Sequence, residues 1–302
     1  MVQNYSALLR DEVAGKAVNL LDSDKPNDIY ATVAEKLIEQ LQSDTSQLAK
    51  AWLELGINRK LTKRPVMVLP YGGTKLSCRE YIEEYILDNY SQNFLYEHFN
   101  YIGKDPHTTI FKASKWLSDY LWKAICETLQ SATVGMAYIR AKLKGHKEKP
   151  LEWTTPCGLL VHQAYENTTR HQIKTELYGS VSKYWINTPT GDDSLSKSKQ
   201  TNGICPNFIH SLDASCLMKF LNKAKEQGIE SFGAVHDSYG TLACYTALTQ
   251  KLLREAFVEI YDDSTDVLAS FIEDITGEIP TDLPEKGNLN INDVLDSKYF
   301  FN

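Results

Sequence analysis

Two ionisable side chains, His236 and Asp237, lie next to each other in the segment ESFGAVHDSYGT. The runs on either side, 231–235 and 239–244, are apolar and β-prone, so the pattern predicts a β-hairpin with buried flanks. Neighbouring strand residues point to opposite faces, which lets one of the pair face a cleft while the other packs. A tight hairpin of this kind would hold a carboxylate rigidly at its apex as a metal ligand. The alternative is a solvated turn aspartate with a capping role.

A second group consists of Arg59, Lys63 and the pair Tyr71-Gly72. Positions i and i+4 of a helix share one face about 6 Å apart, so the two cations would face the same anion, for which a triphosphate is suitable. If the helix ran unbroken, Tyr71 would lie roughly 12 Å beyond Lys63, within reach of a nucleotide's sugar. An ordinary surface helix with basic residues is the alternative.

The third candidate is His210, in the segment PNFIHSLDAS, immediately before a helix predicted over 211–228. A histidine at this position can also serve only to pack the N-terminus of the helix. The residues alone leave open whether His210 is a functional side chain or only a packing residue.

Apolar residues at helical spacing predict the helices that position these side chains. Asn58 is the expected N-cap of a helix that begins near Arg59, and Pro65 and Pro70 would kink or shorten it before Tyr71. Further helices are predicted over 5–22, 29–55, 77–98, 108–144 and 246–261, with strands and a long polar hairpin between 151 and 200. The expected fold is therefore α+β and helix-rich, with a small antiparallel sheet. Neither a P-loop nor a G-x-G-x-x-G motif occurs, so Rossmann and kinase folds lack support.

Composition limits the class of protein. The chain has 302 residues with 42% hydrophobic content, enough for a substantial core. No run approaches the roughly 20 apolar residues of a membrane span, and acidic residues come too early for a signal peptide, so we expect a cytoplasmic protein without membrane partners. The cysteines are widely spaced without a C-x-x-C pair, which predicts reduced, mostly buried thiols and no structural zinc. They are Cys78, Cys126, Cys157, Cys205, Cys216 and Cys244.

Charge is distributed unevenly along the chain, although its net value is −7. The segment RKLTKR at 59–64 has four cations and no acid, and 140–200 has ten Lys and Arg against six Asp and Glu. The tail from 250 to 302 has four against twelve. A basic middle and an acidic tail favour a protein that contacts phosphates with one region only.

These segments together resemble the C-terminal part of single-subunit DNA-dependent RNA polymerases of the phage and mitochondrial type. The resemblance covers nearly the whole chain and rests on five segments in order. They are LLRDEVAGKAVNLL, RKLTKRPVMVLPYG, NGICPNFIHSLDAS, GIESFGAVHDSYGT and LPEKGNLNINDVLDSKYFFN.

The resemblance implies a right-hand polymerase fold with palm and fingers. Residues 1–24 would form a first part of the palm, 25–210 the fingers, and 211–302 the second part of the palm with a C-terminal foot. Residues 169–200 occupy the place of the hairpin that reads promoter DNA in the major groove. The implied partners are template and promoter DNA, nascent RNA and nucleoside triphosphates.

Site residues are implied position by position. Asp237 matches the palm carboxylate that binds both magnesium ions of a two-metal mechanism, with His236 beside it in the same motif. Both residues are therefore expected in the catalytic centre, and Asp237 is the expected metal ligand.

For the incoming nucleotide, Arg59 and Lys63 match the cations that hold the triphosphate. Tyr71 matches the residue that senses the ribose, and His210 matches a contact near the nucleotide sugar. Met67 is assigned to the same substrate site. Lys63, Tyr71 and His210 are also expected to take part in catalysis.

A related family of DNA polymerases shares the Arg, Lys and Tyr spacing, so two positions decide between the families. That family typically has an aromatic residue four positions after the lysine, where this chain has Met67. It also typically has H-D-E, where this chain has His236-Asp237-Ser238. Both positions match the RNA polymerases.

One departure concerns the first catalytic aspartate of the family, which lies in a D-G-S-C-S-G-x-Q-H segment. Gln3 falls on the glutamine of that segment and Asn4 replaces its histidine, so the aspartate itself would precede Met1. Asp11 lies several residues too late to substitute, and two metals need two carboxylate anchors. We therefore expect that this catalytic portion needs an upstream polymerase fragment or subunit that supplies the second anchor. The alternative is a non-catalytic nucleic-acid-binding remnant of a truncated polymerase gene.

Overall fold

The computed structural model describes residues 2–146, 148–191, 194–235 and 238–301. Its α-helices are α1 (Val2–Leu8), α2 (Glu12–Ala17), α3 (Ile29–Gln42), α4 (Gln47–Leu55), α5 (Arg59–Val68), α6 (Lys75–Asn89), α7 (Gln92–His98), α8 (Pro106–Thr128), α9 (Gln130–Lys142), α10 (Lys197–Glu226), α11 (Thr246–Ile260) and α12 (Val267–Thr276). Short 3₁₀ turns cover Leu69–Tyr71, Ala243–Tyr245 and Ile291–Asp296. The strands are β1 (Leu151–Thr154), β2 (Leu160–Gln163), β3 (Thr168–Leu177), β4 (Ser180–Pro189), β5 (Phe232–Val235) and β6 (Ser238–Thr241). The predicted α+β, helix-rich class is confirmed.

Several helices that the periodicity joins are divided in the structure. The predicted helix over 5–22 breaks at Arg10, whose φ is 53°, and Asp11 then caps α2 by accepting a hydrogen bond from Ala14 N. Ser46 caps α4 and Ser91 caps α7 in the same way, which divides the predicted helices over 29–55 and 77–98. Side-chain acceptors satisfy the free amides at each new start, so a continuous apolar pattern can span two helices.

A single large core connects the helices. Trp52 of α4 is fully buried and packs against Phe99, with ring centroids 5.1 Å apart. The helix α10 is 30 residues long and buries Phe208, Leu212 and Phe220 among α9, α11 and the neighbouring turns. Because α10 is buried along one side for most of its length, it forms a rigid support for the residues on its other side.

The strands pair antiparallel, as predicted, but they form three separate two-stranded sheets, β1–β2, β3–β4 and β5–β6. The expectation of buried flanks around His236 and Asp237 is wrong for β5, whose four residues are all exposed; Val235 is 70% exposed. Tyr239 of β6 packs against Phe220 of α10, whereas the other face of the ribbon pairs Gly233 with Gly240 and is open. One face therefore anchors this ribbon.

The hairpin formed by β3 and β4 has ten residues in each strand and two chemically different faces. The register places the arginine and both lysines of the hairpin on one face, which carries Arg170, Gln172, Lys174, Glu176, Val181, Lys183, Trp185 and Asn187. The opposite face carries His171, Ile173, Tyr184 and Ile186. The long polar hairpin predicted between 151 and 200 is thus present, with Arg170, Lys174 and Lys183 on one side.

All six cysteines are free thiols, as predicted, although only Cys78, Cys205 and Cys216 are buried. None of the helices in the described residues combines the length and the apolar character that crossing a membrane requires.

Candidate functional site

The helix α5 presents most of the predicted nucleotide-binding residues on one exposed face. Asn58 caps the helix as predicted, because its side-chain oxygen accepts hydrogen bonds from Lys60 N (2.9 Å) and Leu61 N (3.2 Å). The buried face consists of Leu61, Thr62, Pro65 and Val66. Arg59, Lys63 and Met67 recur every four residues on the exposed side.

Arg59 and Lys63 differ in their electrostatic surroundings. The Nε of Arg59 bonds to the carboxylate of Asp28, and its guanidinium lies 5.2 Å from the ring centroid of Tyr30. Lys63 is exposed and forms no ion pair with any described residue. An anion on this face would thus meet one uncompensated ammonium group and one guanidinium that already has a carboxylate partner.

The turn after α5 fixes the position of Tyr71. The α-helix ends at Val68, and a 3₁₀ turn carries the chain to Gly72, which is left-handed at φ 84°. The amide of Gly73 donates to Val68 O at 2.8 Å, and a Cβ on Gly73 would lie 2.6 Å from that oxygen. The α-helix is thus shortened before Tyr71, as predicted, although it continues through Pro65. The distance of roughly 12 Å from Lys63, which assumed an unbroken helix, does not apply.

His210 lies inside α10, so the prediction that it precedes a helix is wrong. The helix α10 already begins after its cap Ser196 and continues through Pro206. Because proline has no N–H, Asn202 O loses its helical hydrogen bond. This oxygen lies 3.7 Å from the place where a Cβ on Gly72 would be. The place in α10 where this hydrogen bond is missing thus lies next to the turn that follows α5.

Tyr71 and His210 meet across this junction. Their ring centroids are 5.3 Å apart at an interplanar angle of 45°, and both side chains are exposed, Tyr71 by 48%. The structure therefore brings together two predicted site residues that are far apart in sequence. Lys63 and Met67 lie on α5, the helix that precedes Tyr71 in the chain, and Arg59 is the first residue of that helix.

His236 and Asp237 lie outside the described residues. Their neighbours Val235 and Ser238 pair with each other as the ends of β5 and β6, so the predicted hairpin surrounds this dipeptide in the sequence. Within the described part of the chain, no group of three His, Cys, Asp or Glu side chains could hold a metal ion. The assignment of Asp237 as a metal ligand stays a prediction.

A buried polar network that sequence reasoning missed connects the first helix to α10 and α11. The amide of Asn4 donates from Nδ2 to Asp213 Oδ1 at 2.5 Å, and its oxygen accepts from the hydroxyl of Tyr261 at 2.8 Å. Arg10 Nη2 donates to Tyr261 O at 2.5 Å. Asp213 lies one helical turn after His210, so this network holds the segment of α10 that carries the histidine. The sequence signal that could have indicated this network was Asn4 itself, which stands where the family has a histidine.

Comparisons with known proteins agree on one family. A family model described as DNA-dependent RNA polymerase matches residues 2–282. The chain is 32% identical to T7 RNA polymerase of Escherichia phage T7 over 99% of its own length and 38% of that protein's. It is 33% identical to the mitochondrial DNA-directed RNA polymerase 1B of Nicotiana tabacum, covering 29% of that relative. It is also 31% identical to DNA-directed RNA polymerase 2A of Nicotiana tabacum, covering 89% of that relative. The chain thus spans well under half the length of the phage relative it matches.

Proposed function

Since the chain belongs to the DNA-dependent RNA polymerase family, we propose that it forms the palm and fingers of a DNA-directed RNA polymerase. The observation that carries the proposal is the contact between Tyr71 and His210, because it joins two predicted nucleotide-site residues from separate segments. We propose that the protein acts in the cytoplasm, which would be the host-cell cytoplasm if a phage encodes it. The proposed boundary between fingers and palm at 210 lies within α10, so this helix would belong to both.

In the proposed nucleotide site, Lys63 and Arg59 bind the triphosphate of the incoming nucleotide. Binding at Arg59 has to compete with Asp28, whereas Lys63 offers its charge without such competition. Tyr71 contacts the ribose, and its ring is in contact with the ring of His210. Met67 contributes exposed apolar surface to the same site. The rigid support of α10 and the turn at Gly72 together fix the ring of Tyr71, and fixed geometry is what nucleotidyl transfer requires of a protein.

For catalysis we assign one magnesium-binding carboxylate to this chain, Asp237, with His236 beside it. The family's first catalytic aspartate aligns with no residue from Met1 to Asn302, and we propose that a polymerase segment that carries it supplies the second carboxylate. Bound magnesium would supply activation of the attacking hydroxyl and stabilisation of the leaving pyrophosphate. Carboxylate oxygens are the ligands that magnesium prefers, which fits an aspartate in this position.

The hairpin β3–β4 is the proposed promoter-reading element. The face with Arg170, Lys174 and Lys183 carries guanidinium, ammonium and amide groups, the types that bond to phosphates and to base edges in the major groove. Arg170 lies 4.6 Å from the ring centroid of Trp185, which restrains its guanidinium on that face. Promoter and template DNA, nascent RNA and nucleoside triphosphates are the proposed partners.

The experiment combines the purified chain with a separately expressed upstream fragment that carries the missing aspartate, and measures extension of an RNA primer on template DNA. We expect extension by the mixture, loss of it with Asp237→Asn, and no loss with the exposed control Asp88→Asn. Extension by the chain alone would refute the need for the upstream fragment. Binding of nucleic acid without extension in any mixture would support the alternative of a non-catalytic binding protein.

A further inference from the structure

A cationic pocket lies between α9 and the start of α10, outside the residues assigned above. Its volume is about 360 Å³. It is lined by Ala137, Arg140, Ala141, Leu143, Lys144 and Thr201. The lining therefore contains two cations and no carboxylate, a composition suited to an anion.

Arg140 is the partly buried cation of this pocket, and its charge has no acidic partner in the described chain. Its Nε is buried without a hydrogen-bond partner. Its ionisable neighbours are Tyr5 and Cys205, and burial raises the pKa of both, to about 11 for the Cys205 thiol, so both are neutral near pH 7. Lys142, on the same helix, is instead paired with Asp282 at 2.5 Å. A partly buried guanidinium without a carboxylate is costly unless an anion completes it.

The pocket adjoins the contact between Tyr71 and His210. A Cβ on Gly72 would lie 3.2 Å from Arg140 Nη2, so the guanidinium reaches the turn directly after Tyr71. Lys63, assigned to the triphosphate, lies more than two helical turns before Gly72. An anion at Arg140 would therefore lie beside Gly72, and not on the exposed face of α5 that carries Lys63.

We propose that Arg140 and Lys144 bind a backbone phosphate of the nucleic-acid strand that passes the Tyr71–His210 pair. The planar guanidinium can donate two parallel hydrogen bonds to one phosphate, while the exposed ammonium adds charge. This inference rests on the proposed polymerase function. The inference adds a contact with the backbone of the nucleic-acid strand. In the sequence, Arg140 and Lys144 are only two basic residues of a predicted helix.

The test measures binding of a fluorescent RNA–DNA primer–template to the full chain by anisotropy, at several KCl concentrations. The variants are Arg140→Gln, Arg140→Lys and Lys144→Gln, and Lys251→Gln is the matched control because Lys251 is 71% exposed on α11, outside the pocket. Loss of one phosphate contact lowers the slope of log K against log salt by about 0.7–0.9. We expect this decrease and several-fold weaker binding for Arg140→Gln and Lys144→Gln, equally for unrelated primer–template sequences. Arg140→Lys retains most of the slope, and Lys251→Gln is unchanged.

Lys144→Gln keeps the test valid if Arg140→Gln does not fold, since Lys144 is exposed. If both pocket variants keep the wild-type slope and the wild type binds normally, the proposed phosphate site is refuted, but the proposed polymerase function is not. Weaker binding of a fluorescent nucleoside triphosphate together with unchanged primer–template binding also refutes the proposed phosphate site, because the anion is then the nucleotide's phosphate. If the wild type binds neither primer–template nor nucleoside triphosphate, the proposed function falls together with this inference.

Discussion

Replacement of Gly73 by alanine tests whether the turn after α5 positions Tyr71. The new Cβ would lie 2.6 Å from the oxygen and 2.8 Å from the carbon of the Val68 carbonyl, so the backbone itself has to move. The hydrogen bond from Gly73 N to Val68 O would be weakened, which costs about 1 kcal/mol. Backbone strain adds about 1–3 kcal/mol. We therefore expect Gly73→Ala to lower the free energy of unfolding by about 2–4 kcal/mol.

The matched control is Gly56→Ala, at the end of α4. Gly56 has φ 96° but no atom within 4 Å of an added Cβ, so only conformational strain of about 1–2 kcal/mol is expected. Urea denaturation gives the stability of both variants, and titration with a fluorescent nucleoside triphosphate gives the binding affinity. Gly73→Ala should weaken nucleotide binding roughly tenfold, since a misplacement of about 1 Å can have effects of this size or larger. Gly56→Ala should leave it unchanged. Equal nucleotide affinity in the two variants would refute the role of this turn.

Three further predictions concern contacts of the described structure. His210→Ala should weaken nucleotide binding about two- to tenfold, because an aromatic pair contributes about 0.5–1.5 kcal/mol and Tyr71 loses its support. Asn4→Ala should lower the free energy of unfolding by about 1–3 kcal/mol, because Asp213 loses its buried donor. Burial raises the pKa of Asp266, but hydrogen bonds from Lys286 and two amides of α12 outweigh it and hold that pKa below its ordinary value. A lowered folded-state pKa stabilises the fold above pH 4, so the stability difference between wild type and Asp266→Asn should decrease as the pH falls below about 4.

Controls separate these effects from general damage. His210→Phe keeps a ring beside Tyr71 and should retain most of the nucleotide affinity; equal losses in the phenylalanine and alanine variants would contradict support through ring contact. For Asn4, the control Asn292→Ala lies in an exposed 3₁₀ turn and should have little effect on urea denaturation. A stability difference for Asp266→Asn that stays constant from pH 7 to pH 3 would show that its ion pair with Lys286 is not linked to folding.

The sequence by itself determined the local structure and the family. Asn58 was identified as the cap that starts α5, and the two β-prone runs on either side of His236 and Asp237 located the ribbon β5–β6. The spacing of Arg59 and Lys63 placed both on the exposed face of one helix. These features depend on neighbours within a few residues, so local propensity and side-chain capping are sufficient to predict them. The role of Asp237 stays a prediction that rests on its place in the predicted hairpin and on the resemblance.

Tertiary structure decided the features that depend on distant residues. The helix α10 begins well before the predicted start at 211 and continues through Pro206, because its other side is buried by α9 and α11, which outweighs one missing hydrogen bond. The meeting of Tyr71 with His210, and of Gly72 with Arg140, involves helices far apart in sequence, and no periodicity encodes which helices pack together. The open face of β5 has the same origin. A β-prone run predicts a strand, but only the packing of the whole chain determines which face of that strand is covered.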